Sequence, residues 1–102
     1  MYTIFKTSKL EKCYRKPRKA EAAWGKAVAQ KYIQAVNLLR AVDRPSDLRG
    51  FRLFNYHQLK ADRKGQCALK LGERVRLIFT VCEKQGLVTV RIEEVNTTHY
   101  DH

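Results

Sequence analysis

The chain has 102 residues, of which 44% are hydrophobic, and its 21 Lys and Arg against 10 Asp and Glu give a formal net charge of +11. This length fits one domain over residues 1–102, which can bury a core without disulfides or metals. The charge predicts an anionic partner. The lack of a long apolar run and of a signal-peptide pattern argues against a membrane protein and leads us to expect a cytoplasmic one.

The N-terminal half predicts one short strand and two helices. An apolar start at residues 2–5 can pair as a strand. Ser8 begins a stretch with the spacing of a capping box, which predicts a helix over residues 8–15 that ends before Pro17. Over residues 20–42, apolar side chains recur at spacings of three and four and predict a second helix. Its Gly25 weakens that helix by about 1 kcal/mol relative to alanine.

The C-terminal half changes to an alternating pattern. Residues 65–71, 74–82 and 87–95 each predict a strand, and the connections between them are short enough for antiparallel hairpins. The helices then have one sheet face to cover. We therefore expect an α+β fold with two N-terminal helices on one face of a mostly antiparallel sheet of three to five strands.

The cysteines do not indicate a disulfide framework or a zinc site. Cys13, Cys67 and Cys82 are odd in number, widely spaced and outside any C-x-x-C pattern. The His, Asp and Glu residues also lack metal-ligand spacing. We expect three packing or free thiols, no metal and no cofactor.

One short region concentrates groups that bind phosphate. Arg74 and Arg76 are two apart on a predicted strand and can contact one phosphate from the same face. Three further cations precede them in the chain, and we expect the hairpin to bring these alongside the two arginines: Lys60, Arg63 and Lys64. The alternative is a solvated strand edge on which the charges discourage aggregation.

Proton-transfer groups accompany these cations. His57 is a candidate acid or base, although a lone histidine is usually an ordinary surface residue. Its odd spacing from Lys60 requires a bend if both serve one site. The tail adds His99, Tyr100, Asp101 and His102.

A second basic section lies in the helical half. Usually such a run is a solvated helix face, but its density here predicts salt-dependent binding to RNA. Its members are Lys9, Lys12, Arg15, Lys16, Arg18 and Lys19.

In these motifs the chain resembles the HigB branch of the RelE/ParE superfamily, the toxins of type II toxin-antitoxin pairs. The motifs run from His57 to Gln66, from Val75 to Phe79 and from Ile92 to Tyr100, and further likeness covers the helical half. The resemblance implies a RelE-like microbial RNase fold, ribosome-dependent cleavage of messenger RNA, and an antitoxin that binds the toxin in a hetero-oligomer.

The resemblance also implies site residues. His57 and Lys60 match active-site positions of the family, Arg76 matches the strand arginine at the scissile phosphate, and Tyr100 matches the C-terminal aromatic residue. Many relatives end in Asp-Tyr-His, so whether His99 or another tail group transfers the proton stays open. Cys67 stands where relatives often have an aromatic residue, and Ala61 where many have glycine.

The expected chemistry is metal-independent RNA cleavage. A base, His57 or His99, takes the proton of a ribose 2′-hydroxyl, and the attack on the adjacent phosphate leaves a 2′,3′-cyclic phosphate. Lys60 and Arg76, with Arg74 or Arg63, stabilise the developing charge. Two alternatives remain: a non-catalytic inhibitor of an acidic protein such as gyrase, and an RNA-binding module without turnover.

Overall fold

The structure, a computed structural model, describes residues 1–98 and consists of a five-stranded sheet with helices on one face. The strand order is β1-β5-β4-β3-β2. The strands are β1 Tyr2–Phe5, β2 His57–Gln58, β3 Gln66–Gly72, β4 Val75–Lys84 and β5 Leu87–Asn96, and the helices are α1 Ser8–Arg15, α2 Pro17–Trp24 and α3 Lys26–Ala41. The predicted α+β class is confirmed.

The sheet is mostly antiparallel, as expected. β3, β4 and β5 form the predicted meander, and β2 adds to β3 in antiparallel register. β1 instead pairs in parallel with β5, with Phe5 beside Ile92. A parallel pair needs a long crossover, and here the whole helical half lies between the two strands.

The core lies between the helices and one face of the sheet. Phe79 and Ile92 from the sheet and Tyr32 from α3 are fully buried there. The Tyr32 hydroxyl donates to the carbonyl of Leu10 at 2.7 Å, so the buried phenol keeps a partner. The Trp24 ring packs 4.8 Å from the Tyr32 ring. Tyr32 is therefore part of the core, and the partly buried Trp24 packs against it.

The first helix has the predicted bounds but a different cap. The side chain of Thr7 accepts a hydrogen bond from the amide of Leu10 at 3.2 Å, so Thr7 is the N-cap and Ser8 is the first helical residue. Serine and threonine are both favoured N-cap residues, so the sequence alone allowed either position.

The single helix predicted over residues 20–42 is two helices, which makes three in the described N-terminal half instead of two. Gly25 separates α2 from α3 with φ +85° and ψ 162°, a conformation that is essentially restricted to glycine. Pro17 does not only end α1, since it also starts α2 at a position that lacks a hydrogen-bond partner anyway. Sequence periodicity cannot detect such a break, because the apolar residues continue on both sides of it.

Residues 45–54 form two 3₁₀ helices, Pro45–Gly50 and Arg52–Phe54, and the first of them buries Leu48. They lead into β2, the short edge strand. Two residues in left-handed conformation flank β2: Asn55 at φ +47° and Ala61 at φ +58°. Asparagine tolerates this conformation, whereas alanine pays about 1–2 kcal/mol for it.

We expect Ala61→Gly to stabilise the fold by up to about 1 kcal/mol. Glycine removes the strain at φ +58°, and its greater freedom in the unfolded chain offsets part of the gain. Denaturant unfolding would measure the change. The matched control is Ala27→Gly on the exposed side of α3, which should lose about 0.5–1 kcal/mol. Equal losses in both variants would contradict the strain at Ala61.

Three further features concern the cysteines, membrane-spanning helices and groups of metal ligands. Cys13 and Cys67 are buried and Cys82 is exposed, and all three are free thiols. Within residues 1–98, no helix is long and apolar enough to cross a membrane. The same residues contain no group of three or more His, Cys, Asp or Glu side chains that could hold a metal ion.

Candidate active site

The face of the sheet opposite the helices carries a polar surface, which we call the open face. Residues paired across antiparallel strands point to the same side, so the register defines its rows. One row holds Lys70, Arg76 and Asn96; the next holds His57, Ala68, Ile78 and Glu94; a third holds Gln66, Thr80 and Arg91. Ala68 and Ile78 of the middle row form a small buried cluster with Leu59. The open face therefore has an apolar floor among charged groups.

Arg76 is held rigidly on this face. Its Nη1 donates to the carbonyl oxygens of Gly72 at 2.9 Å and Val75 at 3.1 Å, with that of Glu73 at 3.5 Å. Its Nε is buried and has no hydrogen-bond partner among the described residues. A guanidinium fixed by the backbone loses little side-chain entropy when it binds an anion. The position is suited to stabilising charge without reorganisation.

His57 lies one row away from Arg76 on the same face. Its Nδ1 is 3.1 Å from the carbonyl oxygen of Asn55. A carbonyl can only accept, so this hydrogen bond places the ring proton on Nδ1 and leaves Nε2 of the neutral ring free to accept a proton. From the register and ordinary strand spacings, the Cα atoms of His57 and Arg76 are about 12 Å apart. One ribose-phosphate unit can lie between their side chains.

Sequence reasoning missed several charged residues of the open face, and two of them, Glu94 and Lys70, lie close to predicted site residues. Glu94 accepts from Arg63 Nη1 at 3.3 Å, and the same Nη1 donates to Gln66 at 3.0 Å. Lys70 lies directly across from Arg76. The alternation within β3 and β5 already assigned both to the polar side of their strands, but only the register placed them beside the arginine.

Glu93, on β5, forms a separate ion cluster on this face. It stands at the register shift between Ile78 and Phe79, and Arg91 Nε donates to its carboxylate at 2.6 Å. Thr80 donates at 3.0 Å and Lys6 Nζ lies 3.6 Å away. Burial raises the pKa of Glu93, but these hydrogen bonds and positive charges outweigh it and hold the pKa below its ordinary value. Arg91 is thus already neutralised by a carboxylate.

The sequence predicts that the hairpin brings three cations, Lys60, Arg63 and Lys64, alongside Arg74 and Arg76. This prediction is wrong about which end of the hairpin they occupy. In an antiparallel hairpin the start of β3 pairs with the far end of β4, and Gln66 accordingly pairs with Thr80. Lys60, Arg63 and Lys64, which precede Gln66, are therefore at the opposite end of the hairpin from Arg76. Only Arg63 reaches back over the open face, through its contact with Glu94.

Two other predicted positions also differ. Arg74 is not on β4 beside Arg76; it is exposed in the turn before β4, which begins at Val75. Lys60 does not share the open face with His57, since it lines a cleft together with Cys67 and Val81, whose side chains belong to the helix-covered face. The backbone bends at Ala61, one residue after Lys60, so the bend does not bring Lys60 onto the same face as His57.

The basic section of the helical half lies in the other layer of the molecule. Its six residues are all exposed. Lys9, Lys12 and Lys19 line a groove of about 560 Å³ between α1 and α2, while Arg15 is paired with Glu11 at 2.9 Å. This surface is separate from the open face. The predicted His99 and Tyr100 lie outside the described residues.

The architecture matches solved toxin structures. A YoeB/ParE toxin from Agrobacterium tumefaciens superimposes with a TM-score of 0.60 at 14% identity, over 93% of this chain and 95% of that one. The fold is that of a YoeB/ParE toxin. A YoeB-YefM complex from Staphylococcus aureus matches with a TM-score of 0.57 at 20% identity, over 98% of both chains. No protein-family model and no curated protein sequence matches the chain.

Proposed function

We propose that this protein is the toxin of a type II toxin-antitoxin pair and cleaves messenger RNA on the ribosome. The observation that carries the proposal is the Arg76 guanidinium, held by backbone carbonyls on the open face of a toxin fold. One row away lies a histidine whose Nε2 has no hydrogen-bond partner within residues 1–98. The HigB-like motifs and the net charge of +11 support an RNA substrate. Such a protein acts in the cytoplasm, where ribosomes are.

In the proposed reaction, His57 Nε2 takes the proton of a ribose 2′-hydroxyl, and the 2′-oxygen attacks the adjacent phosphorus. The bond from phosphorus to the 5′-oxygen breaks, which leaves a 2′,3′-cyclic phosphate and a free 5′-hydroxyl. Arg76 donates to the phosphate oxygens as their charge rises. Tyr100 or His99 supplies the proton to the leaving oxygen.

The remaining predicted residues have supporting roles in this proposal. Arg63 and Lys70 increase the positive potential of the open face around the phosphate. Lys60, Lys64 and Arg74 contact the RNA on either side of the cleaved linkage, at the two ends of the β3–β4 hairpin. The six basic residues of the segment from Lys9 to Lys19 bind ribosomal RNA from the helical layer, which leaves the open face available to the messenger.

We also propose that an antitoxin protein neutralises this toxin in a hetero-oligomer. The Staphylococcus aureus neighbour is a complex of YoeB with YefM, which supports a protein partner for this fold. A chain with net charge +11 favours a partner with acidic segments, because opposite charges speed association and suppress wrong partners.

The test is expression of this chain alone in a bacterium, followed by mapping of RNA 5′ ends. We expect growth arrest and new messenger ends with 5′-hydroxyl groups that depend on translation. The control is His57→Ala at equal expression, which removes the base. Intact messenger RNA with loss of DNA supercoiling would replace the proposal with gyrase inhibition, and bound but uncleaved RNA would replace it with a binding module.

A further inference from the structure

A cleft at the β2 edge borders the open face at Leu59 and Gln66 and extends to Cys67 and Val81 on the helix-covered side, and it has the properties of a small-molecule site. It measures about 550 Å³, within the range of about 300–1,000 Å³ that is usual for ligand pockets. Cys67 and Val81 form its floor, and Pro45 and Leu59 contribute to its walls. Its apolar interior can take a flat ring without loss of protein hydrogen bonds.

The polar groups of the cleft are held in place. The Tyr56 ring stacks on Phe79 at 6.3 Å, and the Arg49 guanidinium lies 5.5 Å from its centre. The Tyr56 hydroxyl oxygen is 3.8 Å from Cys67 Sγ. Burial raises the pKa of both Tyr56 and Cys67, so both stay protonated near neutral pH. The hydroxyl can donate or accept a hydrogen bond, and the exposed amide of Gln58 adds a donor and an acceptor.

The rim of the cleft is positive. Lys60 and Lys64 line it, and no carboxylate does so among the residues that the structure describes. Two lysines without an acidic neighbour in the lining attract an anion, and an ammonium group can bind phosphate as a point charge. An apolar floor, fixed hydrogen-bonding groups and a cationic rim together match a planar base joined to a phosphate.

We propose that this cleft binds a nucleotide, with the base on the Val81 and Cys67 floor and the phosphate at Lys60 and Lys64. The nucleotide is either free or one unstacked unit of an RNA strand. The inference goes beyond the proposed function, because nucleotide binding here does not require RNA cleavage. In its RNA form it rests on the proposed function and adds a site that reads one base.

The test titrates the full chain with each of the four nucleoside 5′-monophosphates and with inorganic phosphate, following backbone amide shifts by NMR. We expect at least one nucleotide to bind tenfold or more tightly than phosphate, with shifts at Gln58, Cys67 and Val81. Gln58→Trp, which places a ring over the cleft, should abolish binding. Lys64→Gln should weaken it about fivefold, because it removes one exposed ion pair with the phosphate.

Lys84→Gln is the matched control, since it removes an exposed charge at the distal end of β4 and should leave binding unchanged. Thermal unfolding verifies that each variant is folded. Tighter binding of a short RNA than of the monophosphate assigns the cleft to RNA, and equal binding assigns it to free nucleotide. Nucleotides that bind no better than phosphate, or shifts confined to α1 and α2, overturn the inference.

Failure of this inference can be distinguished from failure of the proposed function. A chain that cleaves messengers in the expression test but binds no nucleotide in the cleft loses only this inference. A chain that binds nucleotide and leaves messengers intact loses only the proposed function.

Discussion

Arg76→Ala should lower the rate of messenger cleavage on ribosomes by about 100- to 1,000-fold, the usual effect of removing one preorganised donor to a developing oxyanion. Three backbone carbonyls hold this guanidinium in place before substrate binds. The loss should therefore appear in kcat rather than in affinity. Single-turnover cleavage of a programmed ribosome complex measures the rate, and ribosome pelleting measures the affinity.

Two further variants make this result interpretable. Arg76→Lys keeps the charge but cannot bridge the hairpin carbonyls and the phosphate together, so we expect it to recover only a small part of the rate. Arg52→Ala removes an exposed arginine of a 3₁₀ helix and should cleave at the normal rate. A folded Arg76→Ala protein with full activity would remove Arg76 from the reaction.

The second large effect concerns the helical groove. Replacing Lys12 and Lys19 together by glutamine should weaken ribosome binding about 25-fold at about 0.15 M salt. A slope of about 0.9 in log affinity per phosphate contact corresponds to roughly fivefold for each contact at that salt. The magnitude of the slope of log affinity against log salt concentration should also decrease by about 1.8. Binding measured across a salt series gives both quantities.

The matched control for the groove is the double variant Arg52→Gln with Lys84→Gln. It removes the same net charge from exposed positions outside the groove, so it shows what the loss of general charge does alone. If both double variants weaken binding equally, then the net charge of +11, and no particular surface, is responsible. If neither does, α1 and α2 do not contact the ribosome.

Local patterns predicted most elements because they report on short-range physics. The alternation in β3, β4 and β5 and the capping signals of α1 involve residues only a few positions apart. The break at Gly25 was not predictable in this way. A glycine is compatible with a helix interior and with a helix boundary, and tertiary packing of α2 and α3 selected the second.

The candidate site was predicted less completely, for a different reason. His57 and Arg76 were identified by residue type, and the register placed both on the open face. The contact between Arg63 and Glu94 joins residues 31 positions apart, which no local pattern detects. The direction of the hairpin also separated Lys60 from Arg76, although sequence proximity suggested that they were neighbours.

The sequence by itself determined the fold class, the apolar face of each strand, the excess of positive charge and the residue types available for phosphate chemistry. Composition and periodicity encode these properties directly. Only the tertiary structure decided which of those residues meet. Strand order and register are set by packing of the whole chain, and they placed His57 and Arg76 on one face, Lys60 in a separate cleft and the helical lysines in the other layer.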